Sequence, residues 1–158
     1  MKKSDFLSKI REEKKLELVD HSSEISRSYS IKADNCLKSA KILMAEKLYE
    51  NSIGEAYYAM YNSALSLLFR CGIKCENHSA AIVLLDKLFN LQELKEILSN
   101  AKQDRIDTQY YVPQESGIEV AERMLRNAEK FILGIRVFIG KLSDSEIGNI
   151  RKKFNELC

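Results

Sequence analysis

The chain has 158 residues and a formal net charge of +2, from 25 Lys and Arg against 23 Asp and Glu. That length excludes two ordinary domains, and the even balance excludes a globally basic nucleic-acid binder or a polybasic membrane-surface protein. Six glycines and one proline stand against about 19 expected from average usage. With only five valines and one threonine, turn chemistry and strand formers are both scarce, so a mainly helical chain is predicted.

Residues 5–19 read as a charged helix marked by Phe6, Leu7, Ile10 and Leu18. Its apolar stripe is narrow, which predicts a helix either loosely docked or used against a partner. Ser22 and Ser23 offer caps for the next helix, residues 23–48, where Tyr29, Ala33, Leu37, Ala40 and Met44 recur at helical spacing. Residues 51–71 form the most apolar segment, with Ala56, Ala59, Ser63 and Ala64 allowing close approach of a neighbouring helix. Gly72 follows its last periodic residue, the usual place for a left-handed helix end.

A short connection over 73–78 leads to a helix from Ser79, and another spans 92–107. Pro113 disfavours helix at Val112, and a long helix restarts over 115–142. Ser143 to Glu146 has the pattern of a cap for a final helix over 145–157. Long amphipathic helices joined by short loops predict an all-α, up-down antiparallel bundle with extra N- and C-terminal helices. No N-terminal apolar segment precedes the four cysteines, Cys36, Cys71, Cys75 and Cys158. No apolar run approaches the roughly 18 residues of a membrane span, so a cytoplasmic protein with reduced thiols is expected.

Phosphate-cradling glycine loops, HExxH and GxSxG patterns and paired CxxC knuckles are all missing from the sequence. Three constellations remain. Cys71, Cys75 and His78 are close enough in sequence to offer a weak zinc site, though a fourth ligand is not nearby; otherwise Cys71 is a small core hydrophobe. In Tyr57-Tyr58-Ala59-Met60-Tyr61, Tyr57 and Tyr61 share a helix face and Tyr58 sits about 100° away. Their rings are either buried with hydroxyls bonded at the bundle's rim, or they form a base-stacking or dimer surface. Finally, Arg70 and His78, and Arg105 with Asp107 and Tyr110, stand beside breaks between helices. An arginine there can hold a phosphate and a histidine can transfer a proton near neutral pH. The plain alternative has His78 capping a helix and Arg105 paired with Asp107 or a surface carboxylate.

The run Glu55-Ala56-Tyr57-Tyr58-Ala59-Met60-Tyr61-Asn62-Ser63-Ala64, then Leu67 to Ile73, then His78-Ser79, resembles the HEPN domain family. Arg105-Ile106-Asp107-Thr108-Gln109-Tyr110-Tyr111 and the Ala121, Ala128, Phe131 spacing resemble its second half. The resemblance covers roughly residues 26–142 of a single domain, with 1–25 and 143–158 as helical extensions. It implies a bundle that commonly forms homodimers, often encoded beside a minimal nucleotidyltransferase in toxin–antitoxin-like modules, with no cofactor. Many members are metal-independent ribonucleases; others bind nucleotides or are inactive scaffolds. In the nuclease branches four to six residues separate an arginine from a histidine, whereas seven separate Arg70 from His78. The leading expectation is therefore a nucleotide- or RNA-binding module with Arg105, Asp107, Tyr110 and Tyr58 at the ligand. The alternatives are an endoribonuclease using His78 and Arg70, and a non-catalytic dimeric scaffold.

Overall fold

The computed structural model describes residues 2–110 and 117–158. Seven helices and two short strands are formed by these residues: α1 (Asp5–Glu12), β1 (Leu16–Leu18), α2 (Ser23–Ala45), α3 (Tyr49–Arg70), β2 (Ile73–Cys75), α4 (His78–Lys87), α5 (Gln92–Tyr110), α6 (Gly117–Gly140) and α7 (Asp144–Leu157). The all-α bundle predicted from composition and periodicity is what the chain forms. Among the described residues, no helix is long and apolar enough to cross a membrane.

Helix α3 is the axis of the bundle. Thirteen of its 22 residues are buried, and α2, α5 and α6 pack around it. Small residues bring α2 and α3 close: Ala33 and Ala59 meet in one buried cluster, on which Ile132 of α6 packs. The buried Ser52 hydroxyl of α3 donates to the Ala40 carbonyl of α2 at 2.7 Å. The turn between α2 and α3 is three residues long, with Lys47 at φ 61°, which forces the two helices antiparallel. Ser22 caps α2 through its side chain. Ser143 and Glu146 form the reciprocal capping box of α7, as their spacing predicts.

The ends of the chain differ from the sequence expectation. The helix expected over 5–19 stops at Glu12, and Lys14 turns the backbone with φ 58°. Leu16–Leu18 then pairs antiparallel with Ile73–Cys75, Leu16 opposite Cys75, so the expected loop over 73–78 is half strand. Long-range pairing wins over a locally plausible helical pattern because it buries Leu16, Ile73 and Cys75 together. The narrow stripe of α1 is partly covered within the chain: Leu7 and Ile10 are buried, while Phe6 stays exposed. The Ser4 amide donates to the Leu157 carbonyl at 2.9 Å, and Arg11 donates to Asn155 at 2.9 Å.

Arg151 of α7 closes this region. Its Nη1 donates to the carbonyls of Val19, Cys71 and Gly72 at 2.7, 3.0 and 3.0 Å. Gly72 has φ +71°, and a Cβ there would stand 2.0 Å from the Arg151 Nη1 and 2.4 Å from the Val19 carbonyl oxygen. Glycine is required at this position on both counts.

Candidate functional site

The site gathers where the middle of α3 meets the start of α4 and the last turns of α5. Asn77 caps α4, its side chain accepting from the Ala80 amide at 2.9 Å. The Cys75 thiol donates to the Asn77 carbonyl at 3.2 Å and steadies the turn. His78 is therefore the first helical residue and not the cap, and its ring is delivered onto the tyrosine ladder of α3.

The imidazole stacks on Tyr61 with ring centroids 3.9 Å apart, lies 5.7 Å from the Tyr57 ring and meets the edge of Tyr58 at 6.2 Å. Its Nδ1 shares a 2.6 Å hydrogen bond with the Tyr57 hydroxyl. Tyr57 and Tyr61 are buried, so the plain reading of the ladder holds for these two. Burial pushes the Tyr57 phenol up to about 12 and raises that of Tyr61 as well. Only Tyr58, 38% exposed, offers a ring to a ligand. Burial, reinforced by the positive charges of Arg105 and then Lys102, holds His78 below the ordinary histidine value, so the ring is neutral at pH 7.

Arg105 lies across the same cluster. Its guanidinium carbon stands 4.8 Å from the Tyr57 ring centroid and 5.5 Å from that of Tyr58. Nη1 donates to the Tyr58 hydroxyl at 3.2 Å, while Nε is buried with no hydrogen-bond partner among the described residues. Lys102, one turn earlier, donates to the Ser79 hydroxyl at 2.7 Å. Two cavities open beside these cations. One, of about 320 Å³, is lined by Arg105, Tyr58, Gln109 and the α3 residues Glu50, Asn51, Gly54 and Glu55. The other, of about 370 Å³, runs between α4 and α5 with Lys95, Lys102, Ser79 and Ser99 on its walls.

The expected site residues separate into two groups. His78, Arg105 and Tyr58 come together. Arg70 does not join them: it lines a different cavity of about 340 Å³, with Ser23, Ser26, Arg27 and Arg136. The cations acting on His78 are instead Arg105 and Lys102. The reason is that Arg70 ends α3 while His78 folds back over β2 onto the helix's middle. Asp107 accepts from Gln103 at 2.7 Å, one turn back on its own helix, and does not pair with Arg105. Tyr110 is 68% exposed at the end of α5, which runs one turn past the expected stop at 107. Val112 and Pro113, where the sequence predicts the break, lie outside the described residues. The weak zinc trio does not assemble. No three His, Cys, Asp or Glu among the described residues converge on a metal position. Burial pushes the Cys71 and Cys75 thiols up to about 12 and about 11, the opposite of what a thiolate ligand needs.

Lys102, Gly54 and Glu55 were not legible as site residues in the sequence. Lys102 is one turn before Arg105, and a helical projection of 92–110 would have placed both on one flank. Nothing local marks the two α3 residues, since their role arises from α5 packing beside them.

A histidine thus sits at a helix start on an aromatic ladder, within a helical bundle and beside two cations. The family model of the HEPN domain matches residues 7–136, and the chain belongs to that family. It is also similar to a protein of Methanocaldococcus jannaschii named "Putative toxin MJ0605": 31% identical over 108 residues, covering 63% of this chain and 78% of the relative.

Proposed function

We propose that this protein is the nucleotide- or RNA-binding component of a two-component, toxin–antitoxin-like module. It acts in the cytoplasm as a homodimer, with a minimal nucleotidyltransferase as its partner protein. One observation carries the reading. Arg105 faces a cavity with part of its guanidinium buried and unpartnered and no ion pair among the described residues. A cavity-lining guanidinium kept out of every ion pair among the described residues suits a phosphate. His78, Lys102 and Tyr58 surround the same place, and Asp107 and Tyr110 extend its rim along α5. The name of the archaeal relative supports the toxin-like role.

Titrating the purified protein with labelled nucleotides and structured RNA, with and without the protein encoded beside it, tests this reading. Saturable binding that weakens in Arg105→Gln is expected; absence of binding to every ligand sinks it.

A second reading is favoured by the state of His78. A neutral imidazole oriented by the Tyr57 hydroxyl, beside two cations, suits a general base at a ribose 2′-hydroxyl with charge stabilisation at the phosphate. In that reading the chain is a metal-independent endoribonuclease. Arg105 and Lys102 take the place expected of Arg70 within one protomer. RNA cleavage that persists in EDTA and vanishes in His78→Ala supports it, and an inert wild type on diverse RNAs removes it.

A further inference from the structure

We propose that the Arg105 cavity selects guanine among the bases. Glu50 and Glu55 accept from the N–H groups on the base's Watson–Crick edge, Tyr58 flanks its face and Arg105 takes its phosphate. This rests on the nucleotide-binding reading above and adds the identity of the base.

The charge pattern of the cavity is the first ground. Arg105 and two carboxylates line the same space of about 320 Å³, yet Arg105 is in no ion pair with either among the described residues. A simple anion would be repelled by the carboxylates, and a metal cation by the guanidinium. The matching ligand brings an anion to one wall and hydrogen-bond donors to the other. A nucleotide whose base carries N–H donors does both, and the volume is at the lower end for small-molecule sites, about 300 Å³.

The second ground is Gly54. It sits in the interior of α3, where glycine is unfavourable because of its backbone freedom. Its φ is not left-handed, and a Cβ there would meet nothing within 4 Å among the described residues. Neither backbone conformation nor packing against the described residues asks for glycine. What its missing side chain leaves is a bare notch, with Glu50 one turn before it and Tyr58 one turn after it on the same ridge. A flat aromatic plate needs such a floor, and a half-exposed tyrosine beside it supplies a stacking or edge contact.

The third ground is the chemistry of the carboxylates. Guanine presents two parallel donors, N1–H and the N2 amino group, that one carboxylate accepts together. Adenine and cytosine present an amino group next to a ring nitrogen whose lone pair the carboxylate repels. Uracil presents one N–H between two carbonyl oxygens. Glu55 is also held from behind, since it contacts the Cys36 thiol of α2, which itself accepts from Asn62 at 3.6 Å.

Calorimetric titration of the full chain with GMP, IMP, AMP, CMP and UMP, and with the trinucleotides ApGpA and ApUpA, tests the proposal. GMP is expected to bind about tenfold or more tighter than UMP, with IMP, which lacks the N2 amino group, between them. In the Glu50→Gln, Glu55→Gln double variant the preference should collapse while UMP affinity holds or rises, since two charges that oppose the phosphate are gone. Gly54→Leu should lose binding while its thermal midpoint holds or rises. A preference confined to the trinucleotides assigns the site to guanine within RNA; one confined to GMP assigns it to the free nucleotide. Equal affinity for GMP and UMP, a preference that survives the double variant, or full binding by Gly54→Leu overturns the proposal. If no nucleotide or trinucleotide binds at all, the nucleotide-binding reading itself falls.

Discussion

Helix α5 carries opposite charge on its two flanks, and the molecule treats them differently. Toward α6, Glu93 is paired with Lys130, and Asp104 with Arg123 at 2.9 Å. Toward α4 and α3, Lys95, Lys102 and Arg105 project within about 80° of one another with no carboxylate of α5 between them. There Lys102 and Arg105 reach only neutral hydroxyls, those of Ser79 and Tyr58. The paired flank spends its charge within the fold. Its exposed ion pairs add little stability, on the order of 0.2 to 1 kcal/mol each. On the other flank Lys102 and Arg105 stay out of every ion pair among the described residues, and both cavities beside the His78 cluster open along it. One helix thus separates a surface that holds the bundle together from one whose cations line cavities.

The contrast can be broken outright or only tilted. Leu98, fully buried on the ridge that seats α5, supports both flanks at once; Leu98→Ala should cost about 2 to 5 kcal/mol in urea denaturation. Arg105→Gln strikes the open flank alone. Ligand affinity should fall about tenfold or more, roughly 1.4 kcal/mol, while the denaturation midpoint shifts little. Lys102→Gln sharpens the electrostatic side of the comparison. Positive charge helps hold His78 below the ordinary histidine value, so its NMR titration should move upward in the variant. The sign of the stability effect follows. The folded state binds fewer protons at His78 than the unfolded chain does, so its contribution is complete above the ordinary histidine value and is lost as pH falls through the folded value. Lys102→Gln should narrow that acid-side loss. Smallest of all is Asp104→Ala on the paired flank: less than about 1 kcal/mol of stability, and no change in ligand affinity by the same titration.

Helices were readable wherever apolar residues repeat over many turns. α2, α3 and α6 are such cases, and their caps at Ser22 and Ser143 and the left-handed Gly72 were equally visible. The strand at Leu16–Leu18 was not, because its partner lies more than 50 residues away, opposite Cys75, and periodicity sees only neighbours. The site divides along the same line. His78, Arg105 and Tyr58 carry their chemistry in their residue types and in the family resemblance. Arg70 looked near His78 because few residues separate them, yet β2 and the turn at Asn77 carry the chain away from Arg70's end of α3. Glu55 opens the family-like run without being singled out for chemistry and Glu50 lies outside it: both reach the cavity only because α5 lies beside α3, a contact that sequence spacing does not encode.

The three carbonyls gathered by Arg151 have a kinetic consequence. The contact with Val19 spans 132 residues, so closing it removes the entropy of a very long loop. Its other two acceptors, Cys71 and Gly72, stand at the end of α3 and the start of the strand pair, so the contact joins the last helix to segments far from it in sequence. A contact of that span is costly to close early in folding. If it forms late, Arg151→Ala should quicken unfolding and leave refolding nearly unchanged in stopped-flow denaturant jumps, and a matching loss in the refolding rate would place it early instead.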